Sequence, residues 1–292
     1  MKAALHFAAA AALAACVSAP AAAQEQAADE EIYDAELQAS SEQHRRDELG
    51  VNDITTPTIS GILKDLDLFR PPPMEIVNSL DREASYENRM QTALHFGALV
   101  ADGFVLTIAE RPQDIQEIGK ALIRQSRALG VGDRLTKRSK SLFELSDKGD
   151  WLGMREELVK TQTDVEQSML DLRDEEMAHM ISLGGWLRGF QLAAANTRAN
   201  YSPEKAAVLG RVEIIDYYLD RLDTLHPRLK KTEFATNLTA AIRGIRSVAI
   251  ESQGNPPDRD EVNRMAGFAD TAVAVALGPV DAEGRPLKPA SP

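Results

Sequence analysis

The sequence contains one cysteine, few aromatic residues and fewer basic than acidic residues, and each shortage excludes something. Cys16 is the only cysteine among 292 residues, so no disulfide can form within one chain and a packed core must supply stability. Aromatic residues form 5% of the chain, too few for a large aromatic ligand cage. The formal net charge of −12 argues against nucleic-acid binding, which needs clustered Lys and Arg, and against adsorption to anionic lipid.

The motifs of common catalytic and nucleotide-binding sites are also missing. The chain has no Gly-x-Ser-x-Gly elbow, no P-loop and no Gly-x-Gly-x-x-Gly after a strand. Catalytic triads are recognised by geometry rather than by order, so an enzyme with a dispersed site stays open, with Asp102, Glu110 and Glu175 as carboxylate candidates. We assign no catalytic residue and expect no cofactor.

The first 23 residues are predicted to be a bacterial signal peptide. Lys2 supplies a short positive region, and the apolar run of residues 3–15 is too short to span a bilayer. Residues 21–23 are alanines, the small residues that a signal peptidase needs at its cleavage site. We therefore expect export to the periplasm or cell envelope. No later run reaches about 18 consecutive apolar residues, so no transmembrane helix is predicted in the mature chain.

A second cleavage site is an alternative to the first. Leu13-Ala14-Ala15-Cys16 resembles the lipobox of bacterial lipoproteins, in which the cysteine is lipidated and the chain is cut just before it. In this alternative the signal comprises residues 1–15, and Cys16 carries a lipid anchor.

The remaining chain divides by composition into a lead-in, a helical body and a tail. Residues 24–70 are acidic and polar, typical of a linker, and residues 278–292 are rich in Gly and Pro. In residues 71–277, apolar residues recur at helical spacing and β-branched residues do not alternate with polar ones. We predict an all-α domain, a helical bundle or stacked helical hairpins, whose first core helix begins after the three prolines 71–73.

Two glycine-rich apolar segments resemble each other at an offset of 86 residues. They are "GALVADGFVL" at 97–106 and "GGWLRGFQL" at 184–192. Glycine inside a helix costs about 1 kcal/mol relative to alanine, so we expect the two helices to approach backbone to backbone. The hypothesis is a pseudo-twofold duplication with halves 84–172 and 173–277. The residues predicted to pack there, or to bind a ligand there, are Gly97, Asp102, Gly103, Gly184, Gly185, Arg188 and Gly189.

Asp102 and Arg188 occupy equivalent positions in the two segments. A buried carboxylate needs a partner or a shifted pKa, so we predict an Asp102–Arg188 ion pair. We also expect Gly189→Leu to unfold the protein.

Two further clusters are candidates for binding. Glu176 and His179 have the Glu-x-x-His spacing of di-iron bundles, but only one such motif is present, which favours a helical pair over a metal site. The most basic stretch of this acidic chain is a candidate patch for an anionic partner, although such a run is commonly a solvated helix face. It comprises Arg134, Lys137, Arg138 and Lys140. His226 is expected to contact the last carbonyls of a helix.

The predicted function is that of an exported bacterial helical protein that acts by interaction, as a non-enzymatic scaffold of the cell envelope. The alternative is a periplasmic protein that binds or senses a small ligand or a metal between the glycine-rich helices. A protein partner is expected, nucleic acid is not, and membrane contact is expected only through a lipid anchor at Cys16.

Overall fold

The computed structural model describes residues 68–278, except for the side chains of residues 133–139 and of residue 170. The predicted signal peptide, Cys16, residues 24–67 of the predicted linker and residues 279–292 of the predicted tail lie outside the described residues.

Every regular element among residues 68–278 is a helix, which confirms the predicted all-α class. The helices pack together as a bundle. In chain order they are α1 Met74–Ser79, α2 Arg89–Ile108, α3 Pro112–Leu129, α4 Gly132–Lys148, α5 Trp151–Asp171, α6 Glu175–Ala199, α7 Pro203–Leu209, α8 Val212–Asp223, α9 Pro227–Lys230, α10 Glu233–Glu251 and α11 Arg259–Leu277.

Several helix ends lie where local sequence signals place them. α3 ends at Gly130, which adopts φ +88°, a conformation that residues with a side chain rarely take. The Ser202 side chain caps α7 by accepting from the Lys205 backbone N–H at 3.3 Å, and Pro203 is the first helical residue. Asp150 accepts from the Gly153 N–H at 3.0 Å, as a cap of α5 does.

Two predictions about helix ends were wrong. The prolines 71–73 precede only the six-residue α1, and the first core helix is α2, which begins at Arg89. His226 caps the start of α9, because its side chain accepts from the Arg228 N–H at 3.3 Å. A side chain at this position reaches the free N–H groups at the start of α9 and not the last carbonyls of α8.

Helix α2 is the central element of the bundle. It packs against α6 most extensively, and also against α3, α5 and α11, so almost all of its residues are buried. By length and composition α2 is the one helix in the described part of the chain apolar enough to cross a membrane, with a mean hydropathy of 1.3. The most apolar stretch of α2 is 94% buried inside the fold, and contact with four other helices accounts for its hydropathy.

The contacts between helices follow the same order in both halves of the described chain. In the first half α2 packs on α3 and α5, α3 packs on α4, and α4 packs on α5. In the second half α6 packs on α7 and α11, α8 packs on α10, and α10 packs on α11. Contacts of α5 with α6 and of α11 with α2 connect the halves.

The segment before α1 is attached to the C-terminal part of α6. Phe69 is buried, and the Asn196 side-chain amide donates to the carbonyls of Phe69 at 2.9 Å and of Pro71 at 2.6 Å. Lys205 Nζ donates to Asn196 Oδ1 at 2.7 Å, which orients the amide. The end of the predicted linker is therefore part of the packed body.

Five aromatic residues of the bundle divide into two groups by burial. Phe96, Phe104 and Phe190 are buried, whereas Trp151 and Trp186 are half-buried. The ring of Trp186 packs against Phe190 and against the buried Tyr218 of α8, with ring centroids 5.4 Å and 4.9 Å away.

Candidate functional site

The two glycine-rich segments form the middle of α2 and α6, where the helix backbones touch. A Cβ atom added to Gly97 would overlap the carbonyl oxygen of Ile181, and one added to Gly184 would overlap the carbonyl oxygen of Leu94. A Cβ at Gly185 would lie 3.4 Å from the Gly97 carbonyl oxygen. The close approach expected from the sequence is present, and it depends on Gly97 and Gly184, whereas a Cβ at Gly185 would make an ordinary van der Waals contact.

The other two predicted glycines lie outside this approach. A Cβ on Gly103 would meet the Leu158 side chain of α5 at 3.2 Å and Ile118 of α3 at 3.4 Å, so Gly103 does not face α6. A Cβ on Gly189 would have no heavy atom within 4 Å. The expectation that Gly189→Leu unfolds the protein was therefore wrong, because this position borders open space.

The helices α2 and α6 run in the same direction. Leu94 contacts Gly184, Gly97 contacts Gly185, and Asp102 contacts Arg188, so positions advance together along both helices. Of these three contacts, the one between Asp102 and Arg188 joins positions that are 86 residues apart.

The predicted ion pair between Asp102 and Arg188 is present at this interface. Arg188 donates from Nε to Asp102 Oδ1 at 2.8 Å and from an Nη atom to Oδ2 at 3.0 Å. The two side chains are 0% and 2% exposed, so the charges neutralise each other away from solvent. Bidentate geometry is the strong form of this interaction.

Arg188 also connects the pair to other elements. It donates to the Ile76 carbonyl of α1 at 2.7 Å and to Gln191 Oε1 at 2.7 Å. Gln191 in turn donates to Asp270 of α11 at 2.9 Å. One guanidinium thus joins α1, α2 and α6, and Gln191 extends the network to α11.

Burial has a strong effect on the Asp102 carboxyl. Loss of solvent raises its pKa, and the charge of Arg188 and its hydrogen bonds oppose that rise. Both hydrogen bonds that the described residues give the Asp102 carboxylate come from Arg188. The arrangement is therefore that of an internal structural pair and does not present a free carboxylate to a substrate.

Glu176 and His179 have different partners despite their helical spacing. Glu176 accepts from the His226 backbone N–H at 2.6 Å, whereas His179 Nδ1 lies 3.5 Å from the Tyr217 hydroxyl. Burial, followed by the charge of Arg221, lowers the pKa of His179 to about 4. No group of three or more His, Cys, Asp or Glu in residues 68–278, with the side chains noted above set aside, could hold a metal ion.

Of the four side chains in the predicted basic patch, the structure describes that of Lys140. Lys140 is exposed and lies 3.8 Å from Glu144, one helical turn away. The side chains of Arg134, Lys137 and Arg138 lie outside the described set, although their backbone forms part of α4. Cys16 also lies outside it.

The space near the C-terminal halves of α2 and α6 is small. A cavity there has a volume of about 10 Å³, room for at most one water molecule. Apolar residues line it: Phe69, Pro72, Pro73, Val105, Ile108, Leu192 and Ala193.

A buried polar cluster at the start of α2 was missed by the sequence reasoning. His95 is 0% exposed, and neither ring nitrogen has a hydrogen-bond partner in the described part of the chain. Gln91, one turn earlier and also buried, has an unpaired Oε1. The only available signal was a histidine between Leu94 and Phe96 in an apolar helix.

Comparison with protein families, with curated proteins and with solved structures gave no match. The class of this protein is therefore defined by its own fold, an all-α bundle centred on two parallel glycine-containing helices.

Proposed function

We propose that this chain is an exported bacterial protein of the cell envelope that acts by binding a protein partner and not by catalysis. The main support is that two acidic side chains considered as functional groups, Asp102 and Glu176, have structural partners. Asp102 is neutralised by Arg188, and Glu176 accepts a backbone N–H at the start of α9. Asp102 has its structural partner inside the bundle and Glu176 has its partner at a helix start, whereas a catalytic carboxylate must reach substrate.

The surface provides candidate contact points for a partner. Leu152 and Leu172, near opposite ends of α5, are 68% and 59% exposed. Phe268 on α11 is 37% exposed. Large apolar side chains cluster at protein interfaces, although single exposed ones are also common on monomers.

The ligand-binding alternative has less support at the glycine-rich helices. Gly97 and Gly184 face backbone carbonyls of the opposite helix, so no ligand-sized space separates the two chains at that point. The neighbouring cavity of about 10 Å³ is far smaller than a drug-sized ligand pocket of a few hundred Å³.

We further propose that the two halves, 84–172 and 173–277, arose by duplication. Support comes from the shared order of helix contacts and from the parallel pairing of α2 with α6. The halves differ at two places: α3 is one continuous helix whose counterpart is split into α7 and α8 at Gly210, and the four-residue α9 has no counterpart in the first half.

Intact mass of the protein from its native cell envelope tests the export proposal. An unmodified chain beginning at Gln24 supports a signal peptide of 23 residues, whereas a chain beginning at Cys16 with acyl groups supports a lipid-anchored form. A chain that retains Met1 in the cytoplasm would contradict export. Mass lost on denaturation would instead favour the ligand-binding alternative.

Site-specific photocrosslinking in the same cells tests the interaction proposal. A photoreactive residue at Leu152, Leu172 or Phe268 is expected to give a discrete crosslinked product. Glu156, an exposed polar position on α5, is the matched control. Equal, diffuse labelling at all four positions would count against an interaction surface at these residues.

A further inference from the structure

The segment between α1 and α2, residues 80–88, is held to the bundle mainly by polar contacts. None of its residues is fully buried. Gln125 of α3 donates to the Ala84 carbonyl at 2.7 Å, and Arg124 donates to the Arg82 carbonyl at 2.7 Å. Tyr86 donates from its hydroxyl to the Leu277 carbonyl at the end of α11, at 2.8 Å.

His95 lies beneath this segment. Its ring packs edge-on against Tyr86, with the ring centroids 5.4 Å apart. The imidazole is fully buried, and both of its nitrogens lack a hydrogen-bond partner among the described residues. A neutral imidazole tolerates this environment better than an imidazolium, which has two N–H donors and a charge to satisfy.

The charges that act on the ring come from two elements and oppose each other. Asp81 of the segment favours the proton through its backbone carbonyl and its charge, Arg124 of α3 disfavours it, and the Gln125 side chain of α3 favours it; burial outweighs these effects. At the end of α11, the backbone carbonyls already accept other hydrogen bonds. The Gln91 side-chain amide donates to the carbonyls of Ala276 and Gly278, and the Tyr86 hydroxyl donates to that of Leu277.

The other charged groups near this end of α2 already have partners. Arg82 pairs with Asp114 at 3.2 Å and with Glu117 at 2.5 Å. Arg89 at the start of α2 pairs with Asp174 before α6 at 2.7 Å. None of these groups is left to compensate a charge on His95.

We propose that His95 is an acid-sensitive latch, whose protonation releases residues 80–88 from α3 and from the C-terminal end of α11. Release exposes the imidazole to water, where its charge is solvated. The segment yields first because it has no fully buried residue, whereas α2 and α6 remain joined backbone to backbone. The latch is a property of the folded chain and requires neither export nor a partner.

The expected size of the effect follows from proton linkage. Burial is the largest cause that lowers the pKa of His95, to about 4 from 6.5. A released imidazole regains the higher value, so lowering the pH from 7 to 5 raises the released population about 20-fold.

Hydrogen exchange by mass spectrometry tests this at pH 7 and pH 5, after correction for the intrinsic pH dependence of amide exchange. Peptides covering residues 80–92 and 272–278 are expected to lose about 20-fold in protection at pH 5. Amides in the middle of α10 report global unfolding and are expected to remain better protected than these peptides at both pH values.

Two substitutions keep the proposal falsifiable if one fails to fold. His95→Phe preserves a ring against Tyr86, His95→Leu removes it, and both are expected to abolish the local loss of protection. His179→Gln, at the other buried histidine of low pKa, is the matched control and is expected to keep it. An unchanged pH response in His95→Phe or His95→Leu, or protection of residues 80–92 equal to that of α10, would overturn the latch.

Discussion

Replacing Gly97 by alanine is expected to destabilise the bundle, and the same change at Gly189 is expected to stabilise it. Both residues lie inside long helices, so helix propensity favours alanine at each by about 1 kcal/mol. Only the surroundings differ. A Cβ at Gly97 would meet two backbone atoms of α6 at under 3.0 Å, whereas a Cβ at Gly189 would meet nothing within 4 Å.

The magnitude follows from what must move to relieve the overlap. Overpacking a core costs about 1–3 kcal/mol, and more when the obstacle is rigid. The obstacle at Gly97 is the backbone of Ile181 and Gly185, so α2 and α6 must separate along their interface. Taking the upper end of that range for a rigid obstacle, and subtracting the gain in propensity, we expect Gly97→Ala to lose about 2 kcal/mol. Gly189→Ala is expected to gain about 0.5–1 kcal/mol.

Urea denaturation at pH 7, followed by circular dichroism at 222 nm, measures both changes as differences in the free energy of unfolding. Gly184→Ala, which would overlap the Leu94 carbonyl, is expected to behave as Gly97→Ala does. Equal effects at Gly97 and Gly189 would refute the reasoning, because propensity alone cannot separate the two sites.

Three further predictions concern polar groups inside the bundle. Asp102→Leu and Arg188→Met are each expected to reduce the free energy of unfolding by about 3–5 kcal/mol, and the double variant to reduce it by much less than their sum, because a single change leaves a buried charge unpaired. Additive changes in the free energy of unfolding, measured by urea denaturation, would contradict this. Lowering the pH from 7 to 5 is expected to reduce the free energy of unfolding by about 2 kcal/mol for each of His95 and His179, because their pKa values of about 4 lie below the unfolded value and the unfolded chain binds more protons. In urea titrations at a series of pH values, His95→Phe or His179→Gln should each make that reduction about 2 kcal/mol smaller. The same pH dependence of the unfolding free energy in both variants as in wild type would refute it. Asn196→Ala is expected to reduce the free energy of unfolding by about 1–3 kcal/mol, because it leaves the carbonyls of Phe69 and Pro71 without their donor. A melting temperature equal to that of wild type would contradict this and show that water replaces the amide.

Local sequence rules account for much of the fold. Gly130 and Ser202 define helix ends by conformational and hydrogen-bonding preferences that act within a few residues. Such rules did not predict how short α1 and α9 are, because proline indicates where a helix starts but not how far it continues.

The candidate site was predictable where a chemical requirement was unambiguous. Asp102 in an apolar helix required a cation, and Arg188 in the matching segment was the simplest source. Glu176 and His179 were less predictable, because their shared helical spacing does not reveal that α8 and α9 supply a separate partner for each.

The sequence by itself determined that the chain is helical, that two glycine-rich segments approach each other, and that Asp102 pairs with Arg188. These conclusions rest on side-chain pattern and on the cost of burying a charge, which are properties of the chain. The tertiary structure decided that Gly97 and Gly184 face the opposite backbone while Gly189 borders open space, and that His95 is buried without a partner. The physical reason is that the rotation of each helix about its axis is set by all its neighbours at once, and a rotation of one residue, about 100°, turns a contact position toward solvent.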